Sequence, residues 1–375
     1  MRPASDAERR RLNELFAELC AIPSPSGQEV AVGARVADIL AAAGLPPTID
    51  EHGNVFARAG WNRERTILLC AHLDTVSHGD TPIEPVLVDD GWENAHDAIL
   101  GADNKAALAV MLLAAERAAR ETAPVDLELL FTVSEEIGLL GAARFDASQL
   151  RSAFGYVYDQ ATPIGEIITG SPTYYRIEAE FRGKAAHAGL RPEDGRSAIL
   201  AASRAVAAMR LGRLDAETTA NVGWIRGGVD SGTNVVPERC VLYAETRSLD
   251  PAKAEAIVAE MVDHLHDAAN DPACECDLDV TVDRLFVGYR HAPDSPAVAA
   301  AERALAACGY TPRHVLTGGG ADANVFEAGG LHCVCLANGT ERNHEPTERV
   351  SVAALNGMLD VTFALLDACA EAEPA

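Results

Sequence analysis

The chain reads as an α/β protein with a mostly parallel sheet, interrupted by a smaller unit of β-α-β-β-α-β order. Three observations predict this. Two continuous apolar runs, 66–71 and 127–133, lack the alternation of a half-exposed strand and flank a long helical stretch ending near Arg120, as parallel strands covered on both faces do. Near Pro172 the rhythm changes to alternating strands at 174–181, 218–227, 239–247 and 276–288, with helices at 196–210 and 251–268 between them. From Ser295 the α/β pattern returns. A chain of 375 residues exceeds what one core usually supports, so a domain built from 1–172 and 290–375 is expected to carry an inserted domain, 173–289.

The elements follow in order. Leu12, Leu15, Phe16 and Leu19 share one face of a helix over 6–21, which Pro23-Ser24-Pro25-Ser26-Gly27 ends, and a second helix spans 29–43. Short strands at 47–50 and 55–58 precede the run 66–71, which delivers His72. A loop bearing Trp92 leads to Gly101, where the chain turns into the helix that starts around Asp103. The run 127–133 delivers Glu135 and Glu136, and Tyr156-Val157-Tyr158 delivers Asp159. After the insertion come a helix at 295–308, a turn at Gly318-Gly319-Gly320, a short helix at 324–328, a strand at 333–336 and a terminal helix at 352–368. Parallel sheets place ligands where the carboxyl ends of their strands emerge, and the acids and histidines fall there.

Composition narrows the function. Asp and Glu outnumber Lys and Arg 56 to 31, giving a formal net charge of −25, so nucleic acid and anionic membranes are disfavoured partners. Nine scattered cysteines read as reduced thiols of a cytoplasmic protein, and the C-x-C pairs Cys274/Cys276 and Cys333/Cys335 sit in strand-like flanks without a matching second pair. The charged N-terminus lacks the apolar core of a signal peptide, and no segment is expected to approach membrane-spanning length.

Individually, the candidate residues have ordinary readings. Asp103 could simply cap a helix, with unpaired N–H groups and the helix dipole favouring its ionised form. His72 and Asp74, two apart on an extended chain, point to one side, so Asp74 can orient the imidazole. Two adjacent acids, Glu135 and Glu136, emerging into a cleft would repel each other without a cation. Asp159 ends a predicted strand, and His344 alone would more often be structural. Together, two imidazoles and three carboxylates at the exits of consecutive α/β elements suit a pair of Zn²⁺ ions bridged by Asp103, with Glu135 as general base.

Six ordered motifs also resemble the M20 metallopeptidases, most closely the peptidase T-like branch: Ala71-His72-Leu73-Asp74-Thr75, Gly101-Ala102-Asp103-Asn104-Lys105, Ser134-Glu135-Glu136-Ile137-Gly138, Lys184-Ala185-Ala186-His187-Ala188-Gly189, Gly232-Thr233-Asn234-Val235-Val236-Pro237 and Gly318-Gly319-Gly320-Ala321-Asp322-Ala323-Asn324. The resemblance implies a di-zinc exopeptidase-type catalytic domain with an inserted ferredoxin-like lid and dimerisation domain. It implies that His72, Asp103 and Asp159 hold one zinc and Asp103, Glu136 and His344 the other, with Co²⁺ or Mn²⁺ as alternatives. Asp74 would orient His72, Glu135 would activate a metal-bridging water, and the Asp103-Asn104 peptide would be cis. In the lid, His187 and Asn234 could stabilise an oxyanion and Arg247 could grip a substrate carboxylate, although Arg247 could equally pair with Glu245 or Asp250. The expected protein is a homodimeric amide hydrolase of short peptides resembling a tripeptide aminopeptidase. The alternatives are a deacylase of N-acyl amino acids on the same site, a non-catalytic binding protein on this scaffold, or a thiol protein built on the C-x-C pairs.

Overall fold

The computed structural model describes residues 2–60, 65–121, 123–229 and 232–372, so the extreme ends of the expected outer domain, Met1 and 373–375, lie outside the described residues. The chain divides into two compact units. One comprises Met1–Gly170, Arg290–Thr317 and Ala321–Ala375; the other comprises Ser171–Tyr289 with the glycine turn Gly318–Gly320.

The first unit is built on a mixed sheet that is parallel at its centre. Asp126–Thr132, Thr66–His72, Phe154–Gln160 and Cys333–Ala337 lie side by side in that order, each parallel to its neighbour. Their apolar runs are buried on both faces, which is why they show no alternation. Outside them the pairing turns antiparallel, with Val55–Ala59 on one flank and Glu166–Ser171 on the other. Glu166–Ser171 and its parallel neighbour Arg313–Leu316 are strands the sequence reading lacks; both are short and lie next to turn residues.

Helices cover this sheet. Asp6–Cys20 begins in a capping box, where Ser5 accepts from the Glu8 N–H and Glu8 reaches back to Ser5. Leu12 and Phe16 from that helix, Leu108 and Leu112 from Ala102–Arg120, and Leu359 and Phe363 from Val352–Glu371 share one buried cluster. The terminal helix corrects the expectation about span length: its 20 residues are long and apolar enough to cross a membrane, but most of it is buried inside the fold. Its apolar residues belong to the core.

Trp92 also departs from expectation, lying on a strand, Gly91–Asn94, rather than in a loop. That strand pairs with Pro85–Val88 and with Arg349–Ser351 in a small separate sheet. The signal was the Asp89-Asp90-Gly91 turn, where Asp89 takes a left-handed φ of 53° as tight hairpins require. All nine cysteines are free, and both C-x-C pairs are buried, with thiol pKa values pushed up by burial. Neither pair is set to supply thiolate ligands.

The second unit is an antiparallel sheet in the order Gly212–Arg213, Thr218–Gly227, Arg239–Ser248, Thr173–Arg182, Asp277–Phe286, with helices Ala198–Ala208 and Pro251–Asn270. Apart from the short Gly212–Arg213 strand it is the expected β-α-β-β-α-β unit. Alternate residues Ile177, Ala179 and Phe181 share a core with Ala201, Ala205, Met261 and Leu265 of the helices, which explains the period of two in the sequence.

Candidate metal centre

Four neighbouring parallel strands and one helix send their polar residues to the same end of the first unit. His72 closes its strand, Asp159 lies near the end of the next, Glu135 and Glu136 follow Thr132, and His344 lies beyond Cys333–Ala337. Asp103 enters at the start of Ala102–Arg120.

Asp103 sits between the two histidines. Its Oδ1 is 3.2 Å from His72 Nε2, and its Oδ2 is 3.4 Å from His344 Nε2. Each imidazole faces a second carboxylate as well, with His72 Nε2 3.5 Å from Asp159 and His344 Nε2 2.9 Å from Glu136. His72, Asp103 and Glu136 offer ligand atoms within 4.8 Å of one another, as do His72, Glu135 and Asp159. Distance alone therefore does not separate Glu135 from the potential ligands.

The surroundings of Asp103 rule out the ordinary alternative, a helix cap. Asp103 and Asn104 have non-helical backbone angles, and their peptide bond is cis, as the resemblance implies. The N–H groups of Leu100, Gly101 and Asp103 donate not to Asp103 but to the buried carboxylate of Glu348, at 2.9, 2.7 and 2.8 Å. Gly101 makes this turn possible by adopting φ 75°. The Asp103 carboxylate instead meets His72, His344 and Asn343, whose Nδ2 donates to it at 2.8 Å.

Asp74 does more than orient an imidazole. His72 Nδ1 donates mainly to the Asp74 backbone carbonyl at 2.9 Å, with the carboxylate at 3.4 Å. That carboxylate accepts the N–H groups of Glu135 and Glu136 at 2.9 and 3.1 Å and the Ser26 hydroxyl at 2.7 Å. It therefore fixes the turn carrying both glutamates. Since His72 Nδ1 carries the hydrogen, the neutral ring aims the Nε2 lone pair at two carboxylate oxygens, and only a proton or a metal cation satisfies that arrangement.

Electrostatics agree. Burial, with Asp159 nearby, raises Glu135 well above the ordinary carboxyl range, and burial pushes Asp159 up to about 8 despite His72. Burial opposes charge on His72 and on Asp103, but the Asp159 charge and hydrogen bonds to Asp103, Asp159 and Asp74 raise His72, and hydrogen bonds from His344 and His72 lower Asp103. Hydrogen bonds to Asp103 and Glu136 raise His344 to about 10.

Three residues of this neighbourhood escaped the sequence reading as contributors: Asn343, Glu348 and Asp322. The first two flank His344 in Asn343-His344-Glu345-Pro346-Thr347-Glu348, and an acid closing a polar loop was the available signal. Asp322, within the quoted glycine motif, is buried, accepts from Thr132 at 2.5 Å, and is pushed up to about 6 by burial.

The remaining candidates lie in the second unit. His187 and Asn234 are exposed on paired segments, with the Ala188 N–H donating to the Asn234 carbonyl at 2.9 Å. Arg247 donates to Glu245 at 3.2 Å and to the Gly318 carbonyl at 3.2 Å, and it stacks 4.2 Å over the Tyr174 ring, so the Glu245 pairing weighed from sequence is present.

Comparison with known proteins places this geometry. Residues 171–272 match the peptidase dimerisation domain of M20, and residues 54–160 match peptidase family M28. Aminopeptidase PepT from Bacillus cereus is 34% identical, with a TM-score of 0.85 over 96% of this chain and 99% of that one. A tripeptidase from Staphylococcus aureus is 30% identical, with a TM-score of 0.89 over 97% of this chain and 99% of that one. The chain belongs to the M20 metallopeptidase family, in its peptidase T-like branch. The whole-chain matches decide for M20 over M28, whose model covers only part of the first unit. A further relative, the uncharacterized protein YqjE of Bacillus subtilis, is 34% identical over 96% of this chain and 99% of its own. As an M20 metallopeptidase the protein is a hydrolase, and the acid–imidazole cluster includes groups of residues that could hold a metal ion.

Proposed function

We propose that this M20 peptidase is a di-zinc exopeptidase that releases the terminal residue of short peptides, in the manner of a tripeptide aminopeptidase. The observation that carries the reading is Asp103, whose two oxygens face two different imidazoles, each backed by a second carboxylate. Donors about 2.0–2.1 Å from a tetrahedral ion lie about 3.3–3.4 Å apart, close to the separations of 3.2, 3.5 and 3.4 Å here. His72, Asp103 and Asp159 would hold one ion and Asp103, Glu136 and His344 the other. Imidazole and carboxylate donors favour zinc, with cobalt or manganese able to replace it.

When bound, two such ions supply Lewis acidity for the scissile carbonyl and acidify the attacking water. Glu135 takes that water's proton and passes it to the leaving amine nitrogen. Asp74 is a positioning residue, holding His72 and the backbone of both glutamates. His187 and Asn234 would donate to the developing oxyanion, and Arg247, steadied by Tyr174 and Glu245, would receive a free carboxylate of the substrate. A cleft of about 620 Å³ beside Glu136, lined by Pro25, Ser26, Val76, His78 and Ile137, supports a short substrate. The match to a dimerisation domain supports a homodimer formed through the inserted unit, and the free cysteines support a reducing cytoplasm.

The test is a tripeptide panel run beside acetyl and succinyl amino acids, on the zinc-loaded protein and after chelation. Tripeptides should be cleaved, chelation should stop cleavage, and Zn²⁺ should restore it. Glu135→Gln should keep its metal and lose about 10²–10⁴-fold in turnover. Cleavage confined to acyl amino acids would replace the peptidase reading with the deacylase one, and near-normal turnover in Glu135→Gln would remove the base assignment.

A further inference from the structure

Away from the Asp103 centre, the first unit brings together three more donors of metal-ligating type: His291, Glu327 and His332. Glu327 lies on the short helix Asp322–Ala328, His332 immediately precedes the strand Cys333–Ala337, and His291 lies near the start of the returning segment Arg290–Thr317. Glu327 Oε1 is 3.4 Å from His332 Nδ1 and 3.7 Å from His291 Nδ1, and one ligand atom of each residue lies within 4.8 Å of the others. These separations are close to the edge of about 3.3–3.4 Å expected between ligands of one tetrahedral ion.

The surroundings of these donors point the same way. His291 Nε2 faces the Cys333 carbonyl at 3.2 Å. A carbonyl only accepts, so this nitrogen carries the hydrogen, and the neutral ring directs its Nδ1 lone pair toward Glu327. The Cys333 N–H in turn donates to Glu327 Oε1 at 2.7 Å. One backbone residue thus orients both an imidazole and a carboxylate, as the outer hydrogen bonds of metal ligands commonly do. Exposure is graded: the side chains of His291, Glu327 and His332 are 3%, 13% and 62% exposed, giving a buried floor and an open mouth where water could complete the coordination.

We propose that His291, Glu327 and His332 form an accessory site for one divalent transition-metal ion, Zn²⁺ foremost, separate from the Asp103 centre. Two imidazoles with one carboxylate select zinc, nickel or copper over magnesium or calcium. Bound there, the ion would tie together three segments distant in sequence. The competing account is an ion pair between Glu327 and a protonated His332, which needs no metal.

The experiment titrates the metal-loaded protein with further Zn²⁺ by calorimetry and counts metal per chain by elemental analysis, for wild type, His332→Ala and Glu327→Gln. Glutamine keeps an oxygen for the Cys333 N–H, and His332 is mostly exposed, so both variants should fold and hydrolyse peptides as wild type does. Wild type should take one equivalent more than either variant, or bind it about 10–100-fold more tightly. In wild type alone, Zn²⁺ should also protect His332 from diethyl pyrocarbonate, a readout that needs no variant. No extra equivalent in wild type, equal uptake by the variants within about twofold, or unprotected His332 at saturating zinc would each overturn the site.

Discussion

Replacing Glu348 by alanine should loosen the metal centre without removing any of its donors. This carboxylate is 2% exposed and accepts three backbone N–H groups, those of Leu100, Gly101 and Asp103, thereby pinning the turn on which Asp103 stands. Each buried donor left unmet costs about 1–3 kcal/mol, and water entering the vacated space recovers part of that. A net loss of about 3–5 kcal/mol follows, a large share of the roughly 5–15 kcal/mol that ordinarily separates folded from unfolded states. At about 2–4 °C per kcal/mol for a unit of this size, the melting midpoint should fall by roughly 6–20 °C. With its turn released, Asp103 should also hold metal about 10–100-fold less tightly. Calorimetric melting of the metal-loaded protein, together with metal content after dialysis against a limiting chelator, measures both effects. Glu348→Gln, which keeps one oxygen but turns an NH₂ toward a donor, should fall between wild type and alanine. A Glu348→Ala protein that melts within about 1 °C of wild type and retains its metal would refute the reasoning.

His344→Ala removes the imidazole facing Asp103 Oδ2 and Glu136, so elemental analysis should find about one ion fewer per chain, with the His72 side still loaded. Metal uptake should release protons near neutral pH, because the metal-free centre holds them on His344, raised to about 10, and on Asp159, raised to about 8. Affinity should therefore rise with pH, and a binding enthalpy independent of buffer ionisation would contradict this. Arg117 is buried, forks onto Glu8 at 2.8 and 2.7 Å, and stacks 3.3 Å over the Phe363 ring. Arg117→Leu should cost about 3 kcal/mol, read as a lower urea midpoint, because Glu8 loses its main buried partner. Burial alone would raise Glu8, but hydrogen bonds from Arg2, Ser5 and Arg117 hold it below the ordinary range. Its stabilisation is therefore present above about pH 4.5 and lost as pH falls, and Arg117→Leu should flatten that acid slope.

Much of this fold was legible because burial leaves a period in the sequence. The central strands are uninterrupted apolar runs, and the inserted sheet alternates because one of its faces packs on two helices. Less legible were elements held by partners far along the chain. Gly91–Asn94 pairs locally with Pro85–Val88 across a hairpin turn, but its other neighbour, Arg349–Ser351, lies far along the chain and no local pattern announces that pairing. The same distinction holds at the metal centre. The convergence of the candidate donors could be read from their places at strand ends, but Glu348 acts on a turn almost 250 residues earlier, and its role depends on three backbone N–H groups that have no sequence signature. The helix-cap alternative for Asp103 fails for that reason: local propensity offered an anion for those N–H groups, and tertiary structure supplies a different one, Glu348.

Backbone conformations that ordinary residues avoid gather at this same end of the sheet. Ser134, immediately before the paired glutamates, has φ 54°, and His344 itself has φ 67°, both in the left-handed region that costs a side-chain-bearing residue about 1–3 kcal/mol. Each bend persists only if its surroundings over-determine it. For Ser134 they do: Glu29 accepts its N–H at 2.9 Å, and Asp74 accepts the next two, so three consecutive amides are held by two acids. That arrangement gathers negative charge around a turn already crowded with Glu135, Glu136 and Asp159, which no folding advantage explains. A cation pair explains both costs together, since the bend aims the carboxylates inward and the metal charge makes their proximity favourable.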